Sequence, residues 1–245
     1  MKQYFSLFLL FLRHSAWKVL LLAAAMAAVQ MGLFWGLTPD PAAHSLEACL
    51  AACRTPLAIA VLLGFALLSA LLLTDGAKGK HRLSYTLDRL AISPKAVLGC
   101  QAIYNILAYL LFWAVQVLTI LGLFWLYQQQ GGYVGPQTLY LVTWQDELVH
   151  SFLPMEELLR LLRNLVLIVG LAVTVACSAA QLRQKNKPIA FGALVGGTTA
   201  AFIQPMGQAP IDMTAILLTL TITGMALYNV LQIGKEEDHE EVPSA

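Results

Sequence analysis

Long apolar runs alternate with short polar breaks along almost the whole chain. Six uncharged runs stand out: Val19–Leu37, Thr55–Thr74, Ala96–Tyr127, Asn164–Leu182, Pro188–Ile203 and Met213–Gly234. A helix needs about 20 predominantly apolar residues to cross the hydrocarbon core of a bilayer. Each run is therefore read as one crossing. Pro188–Ile203 is short and rich in Gly, Ala and Thr. Ala96–Tyr127, with 32 uncharged residues, exceeds what one crossing needs, so it starts below the membrane or tilts strongly. The pattern predicts an all-α integral membrane protein with six transmembrane helices in residues 1–234 and no soluble domain.

Composition strengthens this reading. The chain is 58% hydrophobic and 12% charged, with mean hydropathy +0.69, whereas soluble domains carry roughly 25% charged residues. The net charge of +1 provides no basic field for nucleic acid, so no nucleic-acid partner is expected. The distribution of charge matters more than its sum. With the N-terminus on the cytoplasmic side, the inner segments collect Lys2, Arg13, Lys18, Lys78, Lys80, Arg82, Arg89, Lys95, Arg183, Lys185, Lys187 and Lys235. Only Arg54, Arg160 and Arg163 fall outside. Cytoplasmic loops carry the excess of Lys and Arg, so both termini are placed inside, the pattern of a bacterial plasma-membrane protein.

The polar breaks have their own character. Residues 1–17, with a short apolar run between Lys2 and Arg13-His14, fit an interfacial helix on the inner leaflet better than a leader, because a full span follows. Residues 128–163 form the longest outer segment. It opens at Gly131-Gly132 and ends in an amphipathic helix over 151–164, with Pro154 near its start and Glu156 and Arg160 at i, i+4. Residues 235–245 form an acidic, disordered cytoplasmic tail.

Ionisable residues inside a bilayer are costly and usually functional. The six runs contain none. That disfavours a proton relay or an intramembrane hydrolase, and no catalytic residue is assigned. Glu156-Glu157 followed by Arg160 is similar to the E-E-x-x-x-R motif of intramembrane CAAX-type proteases. That motif needs Arg where this chain has Leu161, and no His lies between 151 and 238; a surface salt bridge is the simpler reading. His14, His44, His81, His150 and His239 sit in loops or interfacial stretches and read as solvated. Cys49 and Cys53 fall in the first outer loop, where a disulfide is possible but unusual within one helical turn. Cys100 and Cys177 read as small buried apolar groups. Neither C-x-x-C nor H-E-x-x-H occurs, so no metal is expected. Residues 75–82, "DGAKGKHR", lack the spacing of a phosphate-binding loop. No cofactor is assigned to this chain.

Packing features are more informative. Gly192 and Gly196 form a G-x-x-x-G followed by Gly197, suited to close helix packing within the chain or to a dimer seam. Gln101, Asn105, Gln116, Thr198 and Thr199 are polar groups at membrane depth that either bond between helices or line a path.

The loop at 75–95 joins the second and third runs. Thr86 or Ser84 can cap a short helix in which Leu87, Leu90 and Ala91 share a face while Asp88 and Arg89 point elsewhere. Ser93-Pro94 then opens the next helix. An apolar knob flanked by charges suits either a groove on a partner protein or the inner leaflet. The sequence "TLDRLAIS" (86–93), followed by Lys95 and a helix entered through L-G-x-Q, resembles the loop after the second helix in ABC-2 type transporter permeases. Those proteins share the interfacial helix, six spans and inside termini across nearly the whole chain. The resemblance implies a coupling helix, with Thr86, Leu87, Asp88, Arg89, Leu90, Ile92 and Ser93 contacting a separate ABC ATPase subunit. ATP and Mg would be bound by that subunit, not by this chain. It also implies a second permease chain, identical or sister, and export of a small molecule, peptide or lipid-like substrate. This chain departs from the family in having the basic Lys78–Arg82 segment where an acidic–basic–acidic cluster is common, and in its short outer segment at 204–212. The alternative is a non-transporting scaffold or sensor that recruits a cytoplasmic partner through the same loop.

Overall fold

The long apolar runs fold as long helices. The computed structural model describes residues 2–76, 93–135, 137–154, 157–183, 191–192, 194–197 and 209–240. Among these residues there are seven helices and no strands: α1 (Lys2–Leu37), α2 (Leu46–Gly76), α3 (Pro94–Gln129), α4 (Thr138–Gln145), α5 (Glu147–Phe152), α6 (Leu158–Arg183) and α7 (Ala209–Glu240). Five of them, α1, α2, α3, α6 and α7, are long and apolar enough to cross a bilayer. The chain is an all-α, multi-pass membrane protein.

Several boundaries differ from expectation. Residues 1–17 do not form a separate interfacial helix: from Lys2 onward they continue into the first run as a single 36-residue helix. No Gly or Pro occurs before Gly32, so nothing ends the helix at the membrane surface. α2 begins at Leu46 rather than Thr55, because Ser45 accepts the Ala48 N–H and opens the helix. Cys49 and Cys53 therefore sit on a helix and not in a loop, and both are free thiols. α3 starts at Pro94, which occupies the first turn where its missing N–H costs nothing. It stops at a glycine: Gly131 has φ +90°, its N–H bonds the Gln128 carbonyl, and the Gly132 N–H bonds that of Tyr127. This paired closure requires the left-handed conformation at Gly131. The proposed amphipathic helix over 151–164 is interrupted. α5 ends at Phe152, Leu153-Pro154 lie outside any helix, and α6 begins at Leu158. At the far end, the backbone of α7 stays helical to Glu240, since Lys and Glu are good helix formers. The acidic tail is thus helical over 235–240, not disordered.

Side-chain pairs fix the helix directions. Ser15 and Lys18 meet Asp75, and Gly64 faces Met26, so α1 and α2 are antiparallel. Phe11 stacks on Tyr104 and Gln30 bonds Gln116, so α1 and α3 run parallel. Asn105 bonds the Ala172 carbonyl and Gln101 bonds Arg183, so α3 and α6 are antiparallel. Arg163 pairs with Asp212, and Gly170 faces Thr219 and Thr223, so α6 and α7 are parallel. Two consecutive parallel helices oblige the chain to return from one end of the bundle to the other between Arg183 and Ala209.

Markers of a membrane surface recur at a constant interval. Trp17 and Trp35 on α1 are mostly exposed and lie 18 positions apart, about 27 Å along a helix. Arg54 and Asp75 on α2, and Arg163 and Arg183 on α6, are separated by about 30 Å on the same rise. This matches the roughly 30 Å hydrocarbon core, and aromatic rings favour its two surfaces. The end with Lys18, Asp75 and Arg183 is termed proximal, since α1 begins there; the end with Arg54, Arg163 and Asp212 is distal. α6 forms the centre of the bundle, with Leu171, Ala172, Thr174, Val175, Ala176, Cys177, Ser178 and Ala179 all buried.

Candidate functional site

Three polar assemblies interrupt the apolar bundle, one at each end and one between. At the proximal end, Asp75 closes the last turn of α2 and is buried. It accepts from Ser15 Oγ and Lys18 Nζ, both at 2.7 Å, and His14 Nε2 stands 3.7 Å away. Ser15 and Lys18 share one face of α1 at i, i+3, so one carboxylate takes both. Lys18 keeps its stem against the bundle and remains 41% exposed, as a long cation at a membrane boundary does. On the other side of α3, Arg183 donates to Gln101 Oε1 at 2.8 Å. A guanidinium can only donate, so the Gln101 oxygen faces it and the amide NH2 is turned into the bundle, where it finds no hydrogen-bond partner among the described residues.

Between the ends, α3 carries a polar stripe. Asn105 donates to the Ala172 carbonyl at 3.1 Å, Tyr109 bonds Ser69 at 2.6 Å, and Gln116 accepts from Gln30 at 2.8 Å. Gln101, Asn105 and Gln116 are each 1% exposed. Each of the three bonds a neighbouring helix of this chain. Such bonds are worth about 0.6 kcal/mol each in lipid. They fix the register of α3 against α1, α2 and α6 more than they add stability. Thr198 and Thr199 lie outside the described residues.

The distal end holds the densest charge. Asp146 caps α5, accepting from the Leu148 and Val149 N–H groups at 3.0 Å, and also binds Arg54 of α2 at 3.2 Å. Arg54 reaches Glu147 at 3.4 Å. Arg163, fully buried, donates to Asp212 Oδ1 at 2.6 Å and to Asn164 Oδ1 at 3.0 Å, while Asn164 donates to the Ser151 carbonyl at 2.7 Å. Arg160, 1% exposed, lies 3.2 Å from Glu157 and 3.6 Å from Asp212. Glu157 in turn stands 3.4 Å from His150. This clasp joins α2, α5, α6 and α7.

Two expectations are corrected here. Arg160 is a buried member of a charge chain, not half of a surface salt bridge. Its placement follows from α5 lying against the start of α6, where Asn164 donates to the Ser151 carbonyl. His150 is not solvated: it is 4% exposed, with Nδ1 2.8 Å from the Thr143 carbonyl. Asp75 and Lys18 were not recognised as a site because they flank the apolar runs instead of lying within them. The Asp212–Arg163 pair, 49 positions apart, left no local signal.

The coupling residues Thr86, Leu87, Asp88, Arg89, Leu90 and Ile92 lie outside the described residues. Ser93 is exposed and stands at the N-cap of α3, without a side-chain capping bond. Gly192, Gly196 and Gly197 are helical, and a Cβ at any of them would meet no described atom within 4 Å. Neighbouring helices press instead on Gly64, facing Met26 and Phe112, on Gly122, facing Met31, and on Gly170, facing Thr219 and Thr223. Among the described residues no three His, Cys, Asp or Glu side chains are grouped to hold a metal ion.

No family model, curated protein or solved structure matches this chain.

Proposed function

We propose that this chain is the membrane-spanning permease subunit of an ATP-driven exporter, in which a separate ATPase subunit docks on the 75–95 loop. On this reading the proximal end is cytoplasmic and the membrane is a bacterial plasma membrane. Two permease chains pair with two ATPase chains, and ATP-driven closure of the ATPases moves the loop and the spans attached to it. The exported substrate is a small molecule, peptide or lipid-like compound.

The observation that carries the reading is the likeness of Thr86–Ser93 to the coupling loop of ABC-2 permeases, held in a matching topology. The helix directions support that topology. α1 starts, α2 ends and α7 ends at the same face, and on this reading the sixth crossing lies between Arg183 and Ala209. The first residue of the 75–95 loop, Asp75 in the last turn of α2, is bonded to α1 through Ser15 and Lys18. A pull on the loop would therefore reach α1 as well as α2.

The test is substitution on the apolar face of the loop. Leu87→Asp or Leu90→Asp is expected to leave the protein in the membrane at normal abundance and to abolish stimulation of the partner ATPase. Wild-type transport and ATPase stimulation in both variants would refute the coupling role and favour a scaffold or sensor.

A further inference from the structure

Gln101 stands on α3 at the proximal membrane surface, level with Arg183, and is 1% exposed. Its Oε1 accepts from Arg183, whose guanidinium has only donors to offer. That bond fixes the amide. Nε2 and its two protons turn away from Arg183 into the bundle and meet no acceptor. One turn along α3, on the same face, the Tyr104 hydroxyl is also buried and unpaired. Phe8 and Phe11 of α1 hold its ring, and the hydroxyl approaches Ser15 without reaching hydrogen-bond geometry. Thr174, Ser178 and Thr223 are unpaired too, but each can turn its hydroxyl onto a carbonyl of its own helix. The Gln101 amide cannot turn without facing donor against donor. A buried donor left unpaired is destabilising, so this pair calls for an acceptor that the described residues do not supply.

The surrounding charge indicates the class of acceptor. The described charged side chains at this end are Arg13, Lys18, Lys95 and Arg183 against a single carboxylate, Asp75, and that carboxylate is already met by Lys18 at 2.7 Å. The distal end reverses the balance, with Arg54, Arg160 and Arg163 against Asp146, Glu147, Glu157 and Asp212. We infer that Gln101 Nε2 and Tyr104 Oη donate to a bound phosphate group, carried either by a lipid of the proximal leaflet or by a soluble compound. Basic recesses between helices at a membrane surface suit such groups. Two neutral donors add no charge that must be desolvated, and Arg183, bound to the same amide, supplies countercharge beside them. The Arg183–Gln101 bond thereby serves to present the NH2. This site does not depend on the exporter reading.

The deciding variant is Gln101→Glu. It keeps the length of the side chain and an oxygen for Arg183, and replaces the NH2 with a second acceptor. A purely structural Gln101 would tolerate this change, because the bond to Arg183 becomes an ion pair. A phosphate site would not. Tyr104→Phe removes the hydroxyl alone, keeps the ring on Phe8 and Phe11, and serves if Gln101→Glu does not fold. Full-length protein in neutral detergent is titrated with short-chain phosphatidylglycerol and, separately, with inorganic phosphate, each against chloride at equal ionic strength. Binding is read from the thermal unfolding temperature and from adducts retained in native mass spectrometry. The wild type is expected to be stabilised. Gln101→Glu should weaken the apparent affinity by about tenfold or more, and Tyr104→Phe by about fivefold, with the ligand-free unfolding temperatures close to wild type. A response to phosphatidylglycerol alone assigns the site to a lipid headgroup; a response to inorganic phosphate as well assigns it to a soluble phosphate compound. No response beyond chloride in either titration would overturn the inference. So would an affinity that Gln101→Glu leaves unchanged.

Discussion

The two ends of the bundle use the same chemistry to different effect. At the distal end, Arg160 and Arg163 are at most 1% exposed and share Asp212, a partner on a helix far along the chain. At the proximal end, a single carboxylate, Asp75 in the last turn of α2, meets a cation on α1 that is 41% exposed. Breaking a buried pair strands a charge out of water, whereas an exposed pair is screened and its members find water when separated. The distal charges are thus the costlier to separate. This is the asymmetry expected if force enters beside Asp75 and the far face opens only when a stronger barrier yields.

The comparison can be broken by substitution. Arg163→Ala leaves Asp212 buried without its 2.6 Å partner and should have the largest effect, destabilising the protein by about 3–5 kcal/mol as measured by unfolding in mixed detergent. Gly170→Val should come next, at about 1–3 kcal/mol, because a Cβ there already collides with Thr219 and would separate α6 from α7. Asp75→Asn should have the smallest effect, about 1 kcal/mol or less, with the loss diminishing as salt rises. If Asp75→Asn matched Arg163→Ala, the two ends would be equally rigid and the contrast would be wrong.

Much of the architecture was legible because lipid imposes a simple rule. The apolar runs located α3 to within a turn at both ends and fell inside α2, α6 and α7, which extend beyond them by up to nine residues. Where the reading failed, local propensity overrode the lipid boundary. No breaker separates Met1–Trp17 from Val19, so α1 passes through the surface. The Lys and Glu residues after Gly234 extend α7 as far as Glu240. The site was legible only in part. Gln101, Asn105 and Gln116 stood out as polar groups in apolar runs. His150, Arg160, Arg163 and Asp212 read as ordinary outer-loop charges, because their burial depends on α5 lying against the start of α6 and on α7 packing alongside α6. No spacing rule within a single helix encodes that contact.

The most direct measurement of the central claim is a mild-detergent purification of this chain from its native membranes, with mass spectrometry of the proteins retained. The account predicts a stoichiometric partner bearing a phosphate-binding ATPase motif, lost when Leu87 and Leu90 are both made Asp. Absence of such an ATPase across several mild detergents would contradict the exporter reading and leave the 75–95 loop as a scaffold or membrane-surface element.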